Sequence, residues 1–222
     1  MLNMNMADRV VIETELQDWV PSPIPGVWRK PLERANAESG HATSLVKYAP
    51  GSKFTAHTHL GGEEIYVLDG VFSDETGDYP AGSYLRNPPG SQHSPFSLNG
   101  CTIFVKLHQF QAGDLTFVRV NSHNALWSMS QGNLAVLPLH QFTQEQTAVV
   151  RWPAGEVYKR HQHRGGEEIL VLHGTFKDGH GIYPALTWLR NPQMGVHEPN
   201  NNEPIAFEDT LILVKTGHLP SI

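Results

Sequence analysis

The sequence predicts an all-β protein built from two tandem antiparallel barrels or double-sheet jelly rolls, and three observations carry that expectation. The chain repeats itself, its apolar residues fall in short β-branched and aromatic runs, and no segment carries a long helical stripe. The repeat is read at a fixed offset of 104 residues, where "HTHLGGEEIYVLDG" from His57 and "HQHRGGEEILVLHG" from His161 agree at ten of fourteen positions. It continues from Tyr79-Pro80-Ala81 to Tyr183-Pro184-Ala185 and from Leu85-Arg86-Asn87-Pro88 to Leu189-Arg190-Asn191-Pro192, and ends at His93 and His197.

Within each repeat the expected strands are "TSLVKYA", "EEIYVLDG" and "CTIFVKLHQF", then "TAVVRWPAG", "EEILVLHG" and "DTLILVKTG", each bounded by glycine, proline or polar turns. Closing such strands on themselves protects their edges and turns alternate side chains inward. "GDYPAGSYLRNPPG" reads as a turn-rich connection around a short strand. Pro21, Pro23 and Pro25 argue against a helix in the first 30 residues, which read as an extended arm covering the first repeat or a partner subunit. The expected division is residues 1–118, arm plus first barrel, and residues 119–222, second barrel.

The 222 residues, 39% hydrophobic and 17% charged, suffice for two cores of about 110 residues each. A net charge of −6 gives no electrostatic footprint for nucleic acid or anionic lipid, so neither is an expected partner. No apolar run approaches the roughly 20 residues of a membrane span, and the N-terminus lacks a signal peptide's pattern. The single cysteine, Cys101, suits a reducing cytoplasm, the expected location.

Thirteen histidines are the compositional oddity, and their positions carry the chemistry. His57, His59, Glu63 and His93 recur as His161, His163, Glu167 and His197. Residues two apart on a strand share a face, so each histidine pair can direct two imidazoles into a barrel, with the glutamate and a third imidazole joining from later segments. Three neutral nitrogens and one anionic oxygen suit a divalent transition ion: zinc, manganese, iron, cobalt or nickel. A single His-x-His pair is weak; the whole set, duplicated, is strong. One ion is expected in each half.

The first half follows the cupin pattern, with Gly51, His57, His59, Glu63 and Gly70, then Gly82, Pro88, Gly90 and His93. It resembles the cupin domain of ChrR-type anti-sigma factors through "HTHLGGEEIYVLDGVFSDETGDYPAGSYLRNPPGSQH", "PGVWRKPL" and "GCTIFVKL". The second half keeps the ligand positions but has Leu186 where the first has Gly82, and Gln193 and Met194 for Pro89 and Gly90. The resemblance implies a duplicated metal-binding cupin, with zinc common among ChrR-like proteins and catalytic iron or manganese elsewhere. ChrR-type regulators bind sigma factors through a separate module with a histidine and paired cysteines around zinc. With Cys101 alone here, sigma-factor binding is not expected.

Two functions follow as expectations. One is a metal-dependent oxygenase acting on a small diketone, phenolic or other oxygenated substrate. The other is a non-catalytic regulator or sensor that binds a small ligand reversibly. A homodimer is compatible with either.

Other residues are assigned plainer roles. Glu64 and Glu168 turn away from the metal into salt bridges or rim contacts, Arg86 and Arg190 pair with them, and Tyr66 packs outside the barrel. Lys106 and Lys215 read as solvated strand ends. His108, His123, His140, His173, His180 and His218 are polar-network or surface residues. Cys101 is a buried inert thiol, and Trp19 and Trp28 anchor the arm by apolar packing.

Overall fold

The computed structural model describes residues 1–130, 132–157, 164–192 and 204–220. Among them the fold is all-β, and the only helical element is a single 3-10 turn, Thr14–Leu16. Two compact units are formed, Met1–Met4 with Gln17–Ala125 and Asn5–Leu16 with Leu126–Ile222.

In the first unit the large sheet runs, in hydrogen-bonded order, Val118–Asn121, Ser83–Asn87, Glu63–Asp74, Cys101–Leu107, Ala42–Tyr48, Val27–Arg34 and Val20–Pro21. In the second the order is Val10–Glu13, Thr187–Asn191, Glu167–His173, Thr210–Thr216, Glu145–Trp152, Ala135–Phe142 and Ser128–Met129. Both are open paths ending in edge strands, so full closure into a barrel is not what the ladders give among the described residues. The six predicted runs all appear as strands, because their β-branched and aromatic residues pack well on a pleated surface.

The edge strands hold a feature that the repeat alone does not show. Val10–Glu13, ahead of the first repeat, pairs Thr187–Arg190 in the second unit. Val118–Asn121, ahead of the second repeat, pairs Ser83–Arg86 in the first. Each unit therefore takes its edge strand from the segment leading into the other repeat.

Glu63–Asp74 is the strand that positions the site. Its Ile65, Val67 and Phe72 enter a core with Val46, Leu85, Ile103 and Val105, and each such fully buried side chain contributes about 1.5–3 kcal/mol. A bulge at Leu68 shifts its register against Cys101–Leu107, and the strand continues past Gly70 into pairing with Gly77–Pro80. The second unit repeats the bulge at Leu172, where Val171 faces Ile212 and His173 faces Leu211. The following glycines, Gly70 and Gly174, sit at φ 72° and 76°. A side chain at position 70 would run into the Gly100 carbonyl oxygen. Gly70→Ala is therefore expected to cost at least about 2 kcal/mol, from left-handed backbone strain plus overlap with rigid main chain. Gly51→Ala, at φ 77° with nothing within 4 Å, is its control in denaturant unfolding and carries the strain alone. Leu186, in the place of Gly82, keeps the left-handed conformation at φ 61°, so the second unit holds the same turn with a less suitable residue.

The large sheet of the first unit is buried on both faces. Arg86 is fully enclosed and bonds Glu64 at 2.6 Å and Asp114 at 2.5 Å, with Tyr84 donating to Glu64 at 3.1 Å. Glu64 thus takes the predicted salt bridge. In the second unit Arg190 donates to the Asn5 carbonyl at 2.8 Å, while Glu168 accepts from Trp188 at 2.7 Å and meets His218 at 3.1 Å. Tyr66 is buried on the Glu64 face, its hydroxyl 3.5 Å from Ser122.

Lys106 and Lys215 correct the sequence expectation. Both are buried, Lys106 donating to Thr43 at 3.2 Å and Lys215 pairing with Glu145 at 2.8 Å. Cys101 is buried as expected, and desolvation, with Asp69 adding and Ser97 opposing, pushes its thiol up to about 11. Trp19 anchors differently from expectation, its ring lying under the Lys30 ammonium at 4.8 Å.

Candidate metal centre

Three strands and a turn deliver the first unit's ligand set. The short antiparallel pair His57–Thr58 and Gln92–His93 sets His57 directly opposite His93. The turn through Gly61 and Gly62 brings the chain back so that Glu63 opens the long strand. At Gly61 and Gly62 a side chain would overlap His108 and Phe110, so the turn packs too closely for any other residue.

One donor atom from each of His57, His59 and His93 lies within 4.8 Å of the others. The His59 and His93 Nε2 atoms stand 2.8 Å apart, and Glu63 Oε2 lies 3.3 Å from the first and 3.4 Å from the second. The Nδ1 atoms of two of the three rings are held by the protein. His57 Nδ1 is 3.0 Å from the Thr55 carbonyl, and His93 Nδ1 is 3.3 Å from Asp74 Oδ2. With Nδ1–H donated to those acceptors, both Nε2 atoms keep a lone pair free for a cation.

This donor set fits a divalent ion. Ligand atoms about 2.1 Å from a tetrahedral or octahedral centre stand about 3.0–3.4 Å from one another, close to the spacings among His59, His93 and Glu63, with the His57 donor within 4.8 Å of the other two imidazoles. Two facing imidazole nitrogens can share one proton only, whereas a cation satisfies both and the carboxylate together. Burial lowers the His59 pKa, with His93, His57 and His108 adding to the effect and Glu63 opposing it, which favours the neutral ligand form. Burial also opposes charge on His93, but Asp74, Glu63 and Glu75 outweigh it and raise its pKa.

The glutamate is fixed by a relay that sequence reasoning missed. Arg119 Nη2 donates to Asn87 Oδ1 at 2.6 Å, and Asn87 Nδ2 donates to Glu63 Oε2 at 2.9 Å. The second unit has the same relay, Arg9 Nε to Asn191 at 3.0 Å and Asn191 to Glu167 at 3.2 Å. Both arginines also reach a tyrosine hydroxyl, Tyr79 at 3.2 Å and Tyr183 at 2.6 Å. The recurring "LRNP" held the signal for the asparagines, whereas Arg119 comes from the edge strand Val118–Asn121 and Arg9 from the residue just ahead of Val10–Glu13. His161, His163 and His197 lie outside the described residues; Glu167 is buried beside Asn191.

Asp74 was also missed. Burial would raise its pKa, but hydrogen bonds from His93 and Thr76 bring it down to about 2, from 3.8. Its folded value lies below its unfolded one, so its stabilisation is complete above pH 3.8 and is lost as pH falls through about 2. Asp74→Asn is expected to weaken metal binding in the first unit about 10–100-fold, since the partner that orients His93 loses its charge. Competition with a chromophoric chelator reads that change, and an unaltered affinity would remove Asp74 from the site.

A cavity of about 270 Å³ opens over His57, His59 and Glu63, walled by Val46, Ile103 and Val105. The corresponding cavity of the second unit is about 200 Å³, with Glu167 and Asn191 among its lining residues and Trp152 and Phe176 stacked at 5.4 Å. Of the seven other histidines, His108 lines the first cavity, His41 meets Glu33 at 3.1 Å, and His218 bonds Glu168 at 3.1 Å.

The ChrR cupin-like domain family matches the sequence twice, over residues 7–111 and 116–220. No curated protein matches it. Solved structures share the fold. A candidate dioxygenase from Nostoc punctiforme PCC 73102 is 16% identical with a TM-score of 0.78, covering 97% of this chain and 85% of that one. A candidate glyoxylate-induced protein from Pseudomonas aeruginosa is 11% identical with a TM-score of 0.74, covering 100% and 92%. A bacterial pirin from Escherichia coli in complex with nickel(II) is 15% identical with a TM-score of 0.66, covering 97% and 100%.

Proposed function

Both halves of this chain belong to the ChrR cupin-like domain family, and on that premise we propose that the protein is a metal-dependent oxygenase acting on a small oxygenated organic molecule. The observation that carries the reading is the convergence of His57, His59, His93 and Glu63 at a cavity of about 270 Å³. When bound, the ion supplies Lewis acidity and, if it is iron or manganese, redox chemistry with oxygen; zinc supplies the first alone.

The chain's own residues do the rest. His57, His59, His93 and Glu63 hold the ion, and Asp74 and the Thr55 carbonyl fix the ring orientations. Arg119 and Asn87 hold Glu63 in place. Val46, Ile103 and Val105 form an apolar wall beside the ligands, which strengthens electrostatic contacts there. His161, His163, Glu167 and His197 are proposed to form the second centre; the intact Arg9–Asn191–Glu167 relay supports it. Nickel(II) in a solved cupin-like structure keeps nickel beside zinc, iron and manganese as the ion.

The cytoplasm is the proposed location. Among the described residues no helix is long and apolar enough to cross a membrane. A small molecule is the proposed partner, with homodimerisation compatible and sigma-factor binding not proposed.

Oxygen uptake tests the reading. Protein loaded in turn with iron, manganese and zinc is supplied with diketones, phenols and oxoacids. Oxygen consumption matched by product, with iron or manganese only, is the expected result. Reversible binding with no turnover under any ion would assign the protein to the sensor class instead.

A further inference from the structure

The first unit's cavity carries charge that metal binding does not use. Arg29 and Arg34 line it together with Glu38, the one lining carboxylate among the described residues besides Glu63 of the metal cluster. Arg29 Nη1 meets both Glu38 oxygens, at 3.2 and 3.0 Å. Arg34 Nη1 donates to the Ala37 carbonyl at 2.8 Å, while its buried Nε has no partner among the described residues. Burial lowers the Arg34 pKa and repulsion from Arg29 lowers it further, with Glu38 pulling the other way. Two guanidiniums sharing one carboxylate leave net positive charge and unused donors, and a buried donor without an acceptor is costly.

Tyr48 adds a hydroxyl. It lines the same cavity and is 5% exposed. Its hydroxyl makes no hydrogen bond among the described residues. Burial first, then the charge of Glu63, hold its pKa well above the ordinary value, so it acts as an O–H donor.

Among the described residues the second unit lacks these features. Arg29 faces Val46 in the first ladder, and the residue facing the equivalent Val150 is Val136. Trp152 occupies the place of Tyr48, and its Nε1–H is used by the Glu156 carbonyl at 2.7 Å. The polar equipment of the first cavity is therefore not a consequence of the shared architecture.

We propose that the first cavity recognises a small carboxylate ligand, Arg29 and Arg34 pairing with its carboxylate while Tyr48 donates to a carbonyl or hydroxyl oxygen. Guanidinium matches a planar carboxylate better than any other side chain does, through parallel charge-assisted hydrogen bonds. The inference names the ligand class of the site proposed above and rests on that cavity being its ligand site.

Pyruvate and 2,3-butanedione test it, since they differ chiefly in a carboxylate against an acetyl group. Calorimetric titration of the full chain is expected to show pyruvate binding at least about tenfold more tightly. Arg34→Gln and, separately, Arg29→Gln are expected to remove most of that preference, Arg34→Lys to restore part of it, and Tyr48→Phe to weaken both ligands. Unchanged thermal melting identifies the variants that keep their fold, and two arginine positions give two independent chances to read the effect. Equal affinity for the two compounds, no binding of either, or a preference that survives both glutamine variants would overturn the proposal. Metal content measured on the same samples reports separately on the metal centre. Preference without metal would uphold the arginine pair and remove the centre, and metal without preference would do the reverse.

Discussion

Replacing His57 and His59 together by alanine is expected to remove the metal of the first unit. The pair supplies two of the four proposed donor atoms, and the remaining His93 and Glu63 cannot enclose an ion. The loss should exceed the roughly 10–100-fold that changes behind the ligands produce, so the site empties at ordinary metal concentrations. The fold should persist, because neither histidine belongs to the apolar core around Ile65, Val67 and Leu85. Elemental analysis normalised to polypeptide is then expected to fall by about one equivalent. The parallel His161→Ala and His163→Ala protein is expected to lose the ion of the proposed second centre. Unchanged stoichiometry in the first variant, with its melting transition intact, would contradict ligation by these residues.

Arg86→Ala is expected to produce the largest loss of stability. Arg86 is fully buried between Glu64 and Asp114, at 2.6 and 2.5 Å, with its guanidinium 4.0 Å from the Phe110 ring centre. Burial alone would lower its pKa, but Glu64, Tyr84 and Asp114 together raise it above the ordinary value. Truncation leaves two carboxylates, each under 5% exposed, without their common cation. Removing one partner of such a set costs about 3–5 kcal/mol, far more than the intact set contributes relative to apolar residues. Denaturant unfolding of the first unit reads it, and a loss below about 1 kcal/mol would show that the carboxylates find other partners or take up protons.

The repeat and the strands were legible because duplication and β-branched runs are local properties of the sequence. The histidine cluster of the first unit was legible for the same reason, since His57 with His59 and the later His93 recur with fixed spacing, whereas His161, His163 and His197 lie outside the described residues. What was hidden depends on pairing. Lys106 faces Glu64 across the ladder on a sheet covered on both sides, and alternation cannot mark a solvent face that does not exist. The exchange of edge strands, Val10–Glu13 into the second unit and Val118–Asn121 into the first, leaves no trace in either segment's own composition. Asp74 was hidden by the bulge at Leu68, which resets the two-residue period between Val67 and the end of the strand. Tyr48 and Arg29 sit in ordinary strand positions, and only the cavity gives them a common purpose.

The central claim is that the first unit holds one divalent transition ion among His57, His59, Glu63 and His93. Anomalous diffraction at the metal edge, from crystals of protein purified without chelator or added metal, tests it most directly. The account predicts an anomalous peak in the first unit within bonding distance of the three Nε2 atoms and Glu63 Oε2. A transition-metal peak bound elsewhere in the first unit, with these four side chains contacting only one another, would contradict it.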